Sequence, residues 1–213
     1  MLLADEVDNR EFLTGMFHVM YEELSLPKRR NKLNLEGEKM YIETKRLIIR
    51  DLQMEDKLAY IAMASDGSLN DCGFDKECDK WIEPWIRETR KLVYQDNPAK
   101  EYLAYTICLK NENTVIGSVG CSYYEDIQET GITYFIDSRY RNKGYATEAV
   151  QVYVNYFLSH YDIPRLIATV RHENISSWKV VEKIGFVLTE KRMYKDLNDD
   201  KEELYHFYEL KKE

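Results

Sequence analysis

At 213 residues, the chain has room for one large domain with an appendage rather than two full domains. Its 44% hydrophobic and 32% charged content, with only 9 Gly and 4 Pro, excludes collagen-like, low-complexity and wholly disordered chains. The 30 basic and 38 acidic side chains give a formal charge of −8, which argues against a nucleic-acid partner and mildly suits a cationic one.

No run approaches the roughly 20 apolar residues of a membrane helix. The first residues, Met1-Leu2-Leu3-Ala4-Asp5-Glu6, are acidic where a signal peptide is basic. A cytoplasmic protein with no membrane partner is therefore expected. Cys72, Cys78, Cys108 and Cys121 form no C-x-x-C pair, so reduced thiols are the default.

In chain order, residues 8–24 place Phe12, Leu13, Met16, Phe17, Met20 and Leu24 at helical spacing. This amphipathic stripe packs on its own chain or on a second subunit, which would make a homodimer. Pro27, the basic run Lys28-Arg29-Arg30-Asn31-Lys32 and a polar stretch then form a linker, so residues 1–40 are predicted as an extension and 41–213 as the main domain.

The main domain opens on a strand at 47–49, followed by helices at 55–64 and 81–95 joined by a polar connection. Strands at 102–109 and 115–122 flank the turn Lys110-Asn111-Glu112-Asn113 and form a hairpin. A strand at 132–136 leads through a glycine-containing loop into a helix at 145–160. Next come a strand at 165–170, a helix at 175–184, and strands at 186–191 and 204–210. The order predicts an α/β (α+β) fold: a mixed, mostly antiparallel sheet flanked by helices, with a β-loop-α-β unit in its middle.

The informative stretch runs from Thr133 to Ala149. A strand feeds a loop containing Gly144, and the loop opens a helix whose inner face is Ala146, Ala149, Val150, Tyr153, Tyr156 and Phe157. Free N–H groups at such a helix start can bind an anion beside the positive end of the helix dipole. Gly144 and the small Ala146 let a diphosphate approach the main chain, and Arg141 and Lys143 add positive charge. On residues alone, a glycine before a helix is weak evidence, and a plain loop explains it more often than not. Neither G-x-x-x-x-G-K-[ST] nor G-x-G-x-x-G is present.

Arg141-x-x-Gly144-x-Ala146 resembles the acyl-coenzyme A signature of the GNAT acetyltransferase superfamily. The string Tyr140-Arg141-Asn142-Lys143-Gly144-Tyr145-Ala146-Thr147-Glu148-Ala149 is similar to the RimJ/RimL branch of ribosomal-protein alanine N-acetyltransferases. So is the segment from Asn174 through Ser177 to Glu182-Lys183-Ile184-Gly185-Phe186. The resemblance covers roughly residues 40–211 and implies acetyl-CoA-dependent transfer to a primary amine. It implies that amides of Arg141, Asn142, Lys143, Gly144, Tyr145 and Ala146 hold the pyrophosphate. Tyr134, Phe135, Ile136 and Asp137 would pair with the pantetheine arm, and Asn174 would contact the cofactor.

An alkylamine with a pKa near 10.4 costs about 4.6 kcal/mol to neutralise at pH 7, against roughly 1 kcal/mol for an α-amine. The site therefore needs a proton acceptor, and later a donor to the leaving thiolate. The tyrosine acid and strand glutamate of many relatives fall here at Val181 and Gly131. Ser177 is then the candidate donor, unless it only caps its helix. Glu129 is the candidate base, unless it is a turn carboxylate, and Tyr134 either touches the ligands or packs in the core. The scattered histidines His18, His160, His172 and His206 predict no metal site, Ser176-Ser177-Trp178-Lys179 lacks the partners of an acylated serine, and Cys121 reads as a buried strand thiol. Expected acceptors are a peptide amino terminus or a small polyamine- or aminoglycoside-like amine. The competing reading is a non-catalytic acyl-CoA sensor or scaffold.

Overall fold

The computed structural model describes residues 40–196 and 199–212. The helix expected at 8–24 lies outside them. Eight strands form one sheet: β1 (Tyr41–Glu43), β2 (Leu47–Asp51), β3 (Leu103–Leu109), β4 (Val115–Tyr124), β5 (Glu129–Ile136), β6 (Arg165–Arg171), β7 (Val187–Tyr194) and β8 (Glu203–Lys211). Their order across the sheet is β1-β2-β3-β4-β5-β6-β8-β7. Every neighbouring pair is antiparallel except β5 and β6.

Four helices complete the described part: α1 (Lys57–Ala64), α2 (Cys78–Gln95), α3 (Tyr145–His160) and α4 (Ile175–Lys183). Each has a local cause. In α2, Cys78, Ile82, Ile86, Thr89 and Leu92 recur at intervals of three or four and are buried, and Asp96 ends the helix in a left-handed conformation. In α3, Ala149, Val150, Tyr153, Val154 and Phe157 make the buried stripe, while Ala146 and Tyr156 are partly buried at its edge. Asn113, at φ 52°, supplies the left-handed residue that closes the β3–β4 hairpin.

The two faces of the sheet carry separate cores. One joins α3 and α4 to the strands through Tyr153, Val154, Phe157, Leu166, Val181 and Tyr208. The other is aromatic: Tyr60, Phe74, Trp81 and Trp85 of the α1–α2 layer pack against Phe135 of β5. Each fully buried aliphatic or aromatic side chain contributes about 1.5–3 kcal/mol. A bidentate pair, Arg50 to Asp56 at 2.8 Å for both bonds, fixes the start of α1 to β2. Thr106 donates to the same carboxylate at 3.0 Å.

Within the described residues the sequence-predicted elements are found, most with shifted ends and the helix at 145–160 with none, plus β1. The helix expected at 81–95 begins at Cys78, and the strand expected at 132–136 begins at Glu129. The connection read as polar at 66–80 buries Leu69 and Phe74 and contains a short 3-10 turn, Asn70–Cys72. Among the described residues no helix is long and apolar enough to cross a membrane.

Candidate active site

Strands β5 and β6 run parallel but pair only at Gly131 and Ile167. Beyond that vertex, residues 132–136 have no β-ladder partner on this side, and a V opens toward the C-terminal ends of both strands. Gly131 is required at the vertex, since a Cβ there would lie 2.6 Å from the Tyr124 ring and 3.3 Å from Ile167 Cγ1. The position that holds a glutamate in many relatives is thus covered by Tyr124, whose hydroxyl lies 3.3 Å from Thr169 Oγ1 across the vertex.

The first arm runs from β5 through the turn Ser138–Tyr140 into α3. Asp137 is buried, its N–H donates to Ile116 O at 2.9 Å, and its carboxylate accepts from the Arg139 amide and guanidinium. Burial alone would raise the Asp137 pKa, but those bonds and the guanidinium charge outweigh it and hold the carboxyl below its ordinary range. Arg141 donates through Nε to Ile136 O and through Nη2 to Ser68 O, both at 3.0 Å. The signature arginine is therefore a brace as well as a charge.

After Arg141, Asn142 (φ 61°) and Gly144 (φ 77°) both adopt the left-handed region. From Asn142 through Thr147 no backbone N–H finds an acceptor among the described residues; the first helical bond is Glu148 N–H to Gly144 O at 3.1 Å. Left-handed residues beside a helix N-terminus make a concave nest of donors suited to an anion. The nest is held from outside by the β1–β2 turn. Thr44 Oγ1 donates to Glu148 at 2.6 Å, Arg46 Nε donates to the same carboxylate at 2.6 Å, and Arg46 Nη1 donates to Lys143 O at 2.9 Å. Burial works against the ionised Glu148, yet these bonds keep its pKa below the usual range. Arg46 also lies 4.6 Å above the Tyr145 ring.

The second arm runs from β6 into α4. Asn174 Oδ1 accepts from the Ser177 amide at 3.1 Å and from the Ser176 hydroxyl at 3.0 Å, so this helix start is capped by its own chain. The Ser177 hydroxyl makes no protein hydrogen bond among the described residues. Tyr134 joins the arms: its hydroxyl donates to Ser177 O at 3.0 Å, and burial raises its pKa to about 12, so it stays protonated.

The predicted residues fall into three places. Ile136, Asp137 and residues 141–146 gather on the first arm, while the Phe135 ring turns to the aromatic layer, 4.9 Å from the Phe74 ring. Asn174 and Ser177 lie on the second arm. Glu129 sits two residues before the vertex, ion-paired with Arg165, which also binds Glu209 at 3.2 Å. Thr44, Arg46 and Arg171 were not foreseen, because they are polar residues on turns or strand ends, far in sequence from what they hold. Among the described residues no group of three His, Cys, Asp or Glu side chains is placed to hold a metal ion.

Comparison with known proteins gives this geometry a family. The GNAT acetyltransferase domain matches residues 46–187, which include both arms. YnaD of Bacillus subtilis, named as an uncharacterized N-acetyltransferase, is 30% identical over 148 residues, 68% of this chain and 82% of its own. The ribosomal-protein-S5-alanine acetyltransferase of Vibrio fischeri shares the fold with a TM-score of 0.66 at 20% identity, covering 82% of this chain and 97% of its own. RimL, a ribosomal L7/L12 alpha-N-protein acetyltransferase solved in complex with coenzyme A, gives a TM-score of 0.67 at 14% identity, covering 81% and 98%.

Proposed function

We propose, because the chain belongs to the GNAT acetyltransferase family, that it transfers the acetyl group of acetyl-CoA to a primary amine by direct attack within a ternary complex. The observation that carries this reading is the run of unpartnered N–H groups at 142–147, set at the mouth of the V. Those donors, with the Lys143 ammonium, fit the diphosphate of CoA. The β5 edge at 132–136, with no ladder partner on this side, offers main-chain groups to the pantetheine arm. That RimL was solved with coenzyme A supports the same assignment.

The neutral amine attacks the thioester carbonyl, and main-chain N–H groups facing the V stabilise the oxyanion. As the tetrahedral intermediate collapses, the C–S bond breaks and the thiolate takes a proton. Ser177 is assigned as the donor, since its hydroxyl is uncommitted among the described residues and its backbone carbonyl is held by the neutral Tyr134 hydroxyl from the other arm. Glu129 is assigned as the base that receives the amine proton through water. Its ion pair with Arg165 weakens it in that role, so Glu129→Gln is the sharper test of the two. We assign the main catalytic domain to 41–213 and a cytoplasmic setting, which the four unpaired cysteines fit.

The acceptor is a peptide amino terminus or a small amine, and the ribosomal-protein acetyltransferases that share the fold favour the former. The test is thiol release from acetyl-CoA in the presence of peptides with free amino termini, polyamines or aminoglycosides. Release with one class identifies the acceptor. The glycine at 131, covered by Tyr124, favours a second reading, a CoA-binding module without turnover. It predicts CoA binding with no amine-dependent thiol release across the same panel.

A further inference from the structure

Between α1 and α2, residues 65–73 cross the open end of the V and are fastened to both arms. On the first arm, Ser138 Oγ donates to Asp66 Oδ2 at 2.6 Å, and Arg141 donates to Ser68 O at 3.0 Å. Toward the second, Asp71 pairs with Arg171, at the end of β6, at 3.0 Å. Arg171 is itself fixed from behind by buried Asp199, and its Nε donates to the Tyr205 hydroxyl at 3.1 Å. The segment is anchored below at its middle by Leu69 and just past its end by Phe74, both buried in the aromatic layer with Tyr60 and Phe135. The strap is thus hydrophobically seated, while its position across the V is set by three polar ties at its rim.

Two of those ties end on the turn that leads into the diphosphate nest. Ser138 and Arg141 lie within four residues of Asn142, where the unpartnered N–H groups begin. An anion that fixes the nest must also restrict the turn, and the turn holds the strap. We propose that this segment is a coupling strap: occupation of the nest by the CoA diphosphate tightens residues 65–73 across the V through Ser138–Asp66 and Arg141–Ser68, with Asp71–Arg171 as the fixed far end. Asp66 and Asp71 are then positioning residues that link cofactor occupancy to the geometry of the V's mouth. The inference rests on the CoA assignment above.

The ties are exposed, so each is weak alone and the coupling is modest, on the order of threefold to tenfold. Linkage requires reciprocity: whatever factor the strap gains from CoA, CoA loses when the strap is released.

Cys72 provides the reporter. It lies in the strap and is exposed, whereas Cys78, Cys108 and Cys121 are buried and serve as internal controls. The probe is desulfo-CoA, which lacks a thiol and cannot consume reagent. N-ethylmaleimide labelling of Cys72, followed by mass spectrometry, should slow about threefold or more when desulfo-CoA is saturating. In Asp66→Ala/Asp71→Ala that protection should fall to within about 1.5-fold, and the affinity for desulfo-CoA should drop by the factor of protection lost. Asp66→Asn, which keeps an acceptor oxygen for Ser138, should restore part of it. A rise in Tm with desulfo-CoA but no protection of Cys72 overturns the coupling alone. Equal protection in the double variant overturns it too, because the ligand then covers Cys72 directly. No rise in Tm at all overturns the CoA assignment and this inference with it.

Discussion

The corner after β5 leaves the N–H groups of 142–147 open, whereas the corner after β6 turns Asn174 back on its own helix and satisfies the Ser177 amide. Both are strand-to-helix corners, they flank one V, and each begins with the same deficit of unpaired donors. The difference lies in the backbone. Two left-handed residues, Asn142 and Gly144, curl the first corner into a concavity facing outward; the Arg46 side chain braces it at Glu148 and Lys143, and its own Arg141 reaches out to the Ser68 carbonyl. The second corner has a capping side chain at its first position and needs no brace. A helix start reads as a ligand site when the rest of the molecule holds it open, and as an ordinary cap when its own side chains close it.

On this reading the first corner binds and the second presents chemistry, so variants at the two should separate affinity from turnover. The largest expected effect is at Ser177. Ser177→Ala should lower kcat by about 10²-fold or more, the range of a lost proton donor, while desulfo-CoA affinity stays within about threefold. A loss of affinity with unchanged kcat would reverse the roles of the two corners.

Next comes Gly144→Val. A β-branched residue at φ 77° carries about 2–3 kcal/mol of strain, and an added Cβ would already lie 3.4 Å from the Arg46 guanidinium. Calorimetric titration should find desulfo-CoA bound roughly 30- to 100-fold more weakly. The mirror experiment is Asn174→Ala. It removes a cap and should cost about 1 kcal/mol in urea unfolding, with little change in CoA affinity. If Asn174→Ala weakened CoA as much as Gly144→Val, Asn174 would be a cofactor ligand rather than a cap.

The two corners were not equally legible in the sequence. The first announced itself, since a strand, Gly144 and a small-residue helix face lie within 17 consecutive positions, and α3 was bounded correctly at 145–160 because its apolar period is local. The cap at Asn174 could be read as a cap or as a ligand, and only the bonds to Ser176 and Ser177 identify its structural role. The V itself was not legible. It depends on β5 and β6 pairing at a single position and on β8 inserting between β6 and β7, both set by contacts distant in sequence. The same is true of the braces. Glu148 meets Arg46 across 102 positions and Ser138 meets Asp66 across 72, and no periodicity connects a turn residue to a partner that far away.

The smallest effect, and the most discriminating, is in pH. The first corner is tied by Asp137 and Glu148, whose folded pKa values lie below their unfolded ones. Their contribution is complete above the ordinary carboxylate range, near pH 4, and is lost as pH falls through the lower folded values. Beneath α4 the titrating group is different. His206 is buried, its Nε2 lies 2.8 Å from His172 Nδ1, and Tyr208 connects it at 3.3 Å to Glu182 of the helix. Burial, then the charges of Lys191 and His172, lower its pKa against the opposing pull of Glu182. A histidine held neutral in the fold stabilises fully above its unfolded value near 6.5 and loses that contribution as pH falls through the folded one. The second arm should therefore loosen in a window beginning near pH 6.5, and the first only near pH 4. Hydrogen exchange of α4 and α3, corrected for the intrinsic pH dependence of exchange, would show the two windows separately. His206→Gln should flatten the upper window, by less than about 1 kcal/mol, and leave the lower one in place. If both helices loosened together, the two corners would form one cooperative unit and the division between binding and chemistry would have no structural basis.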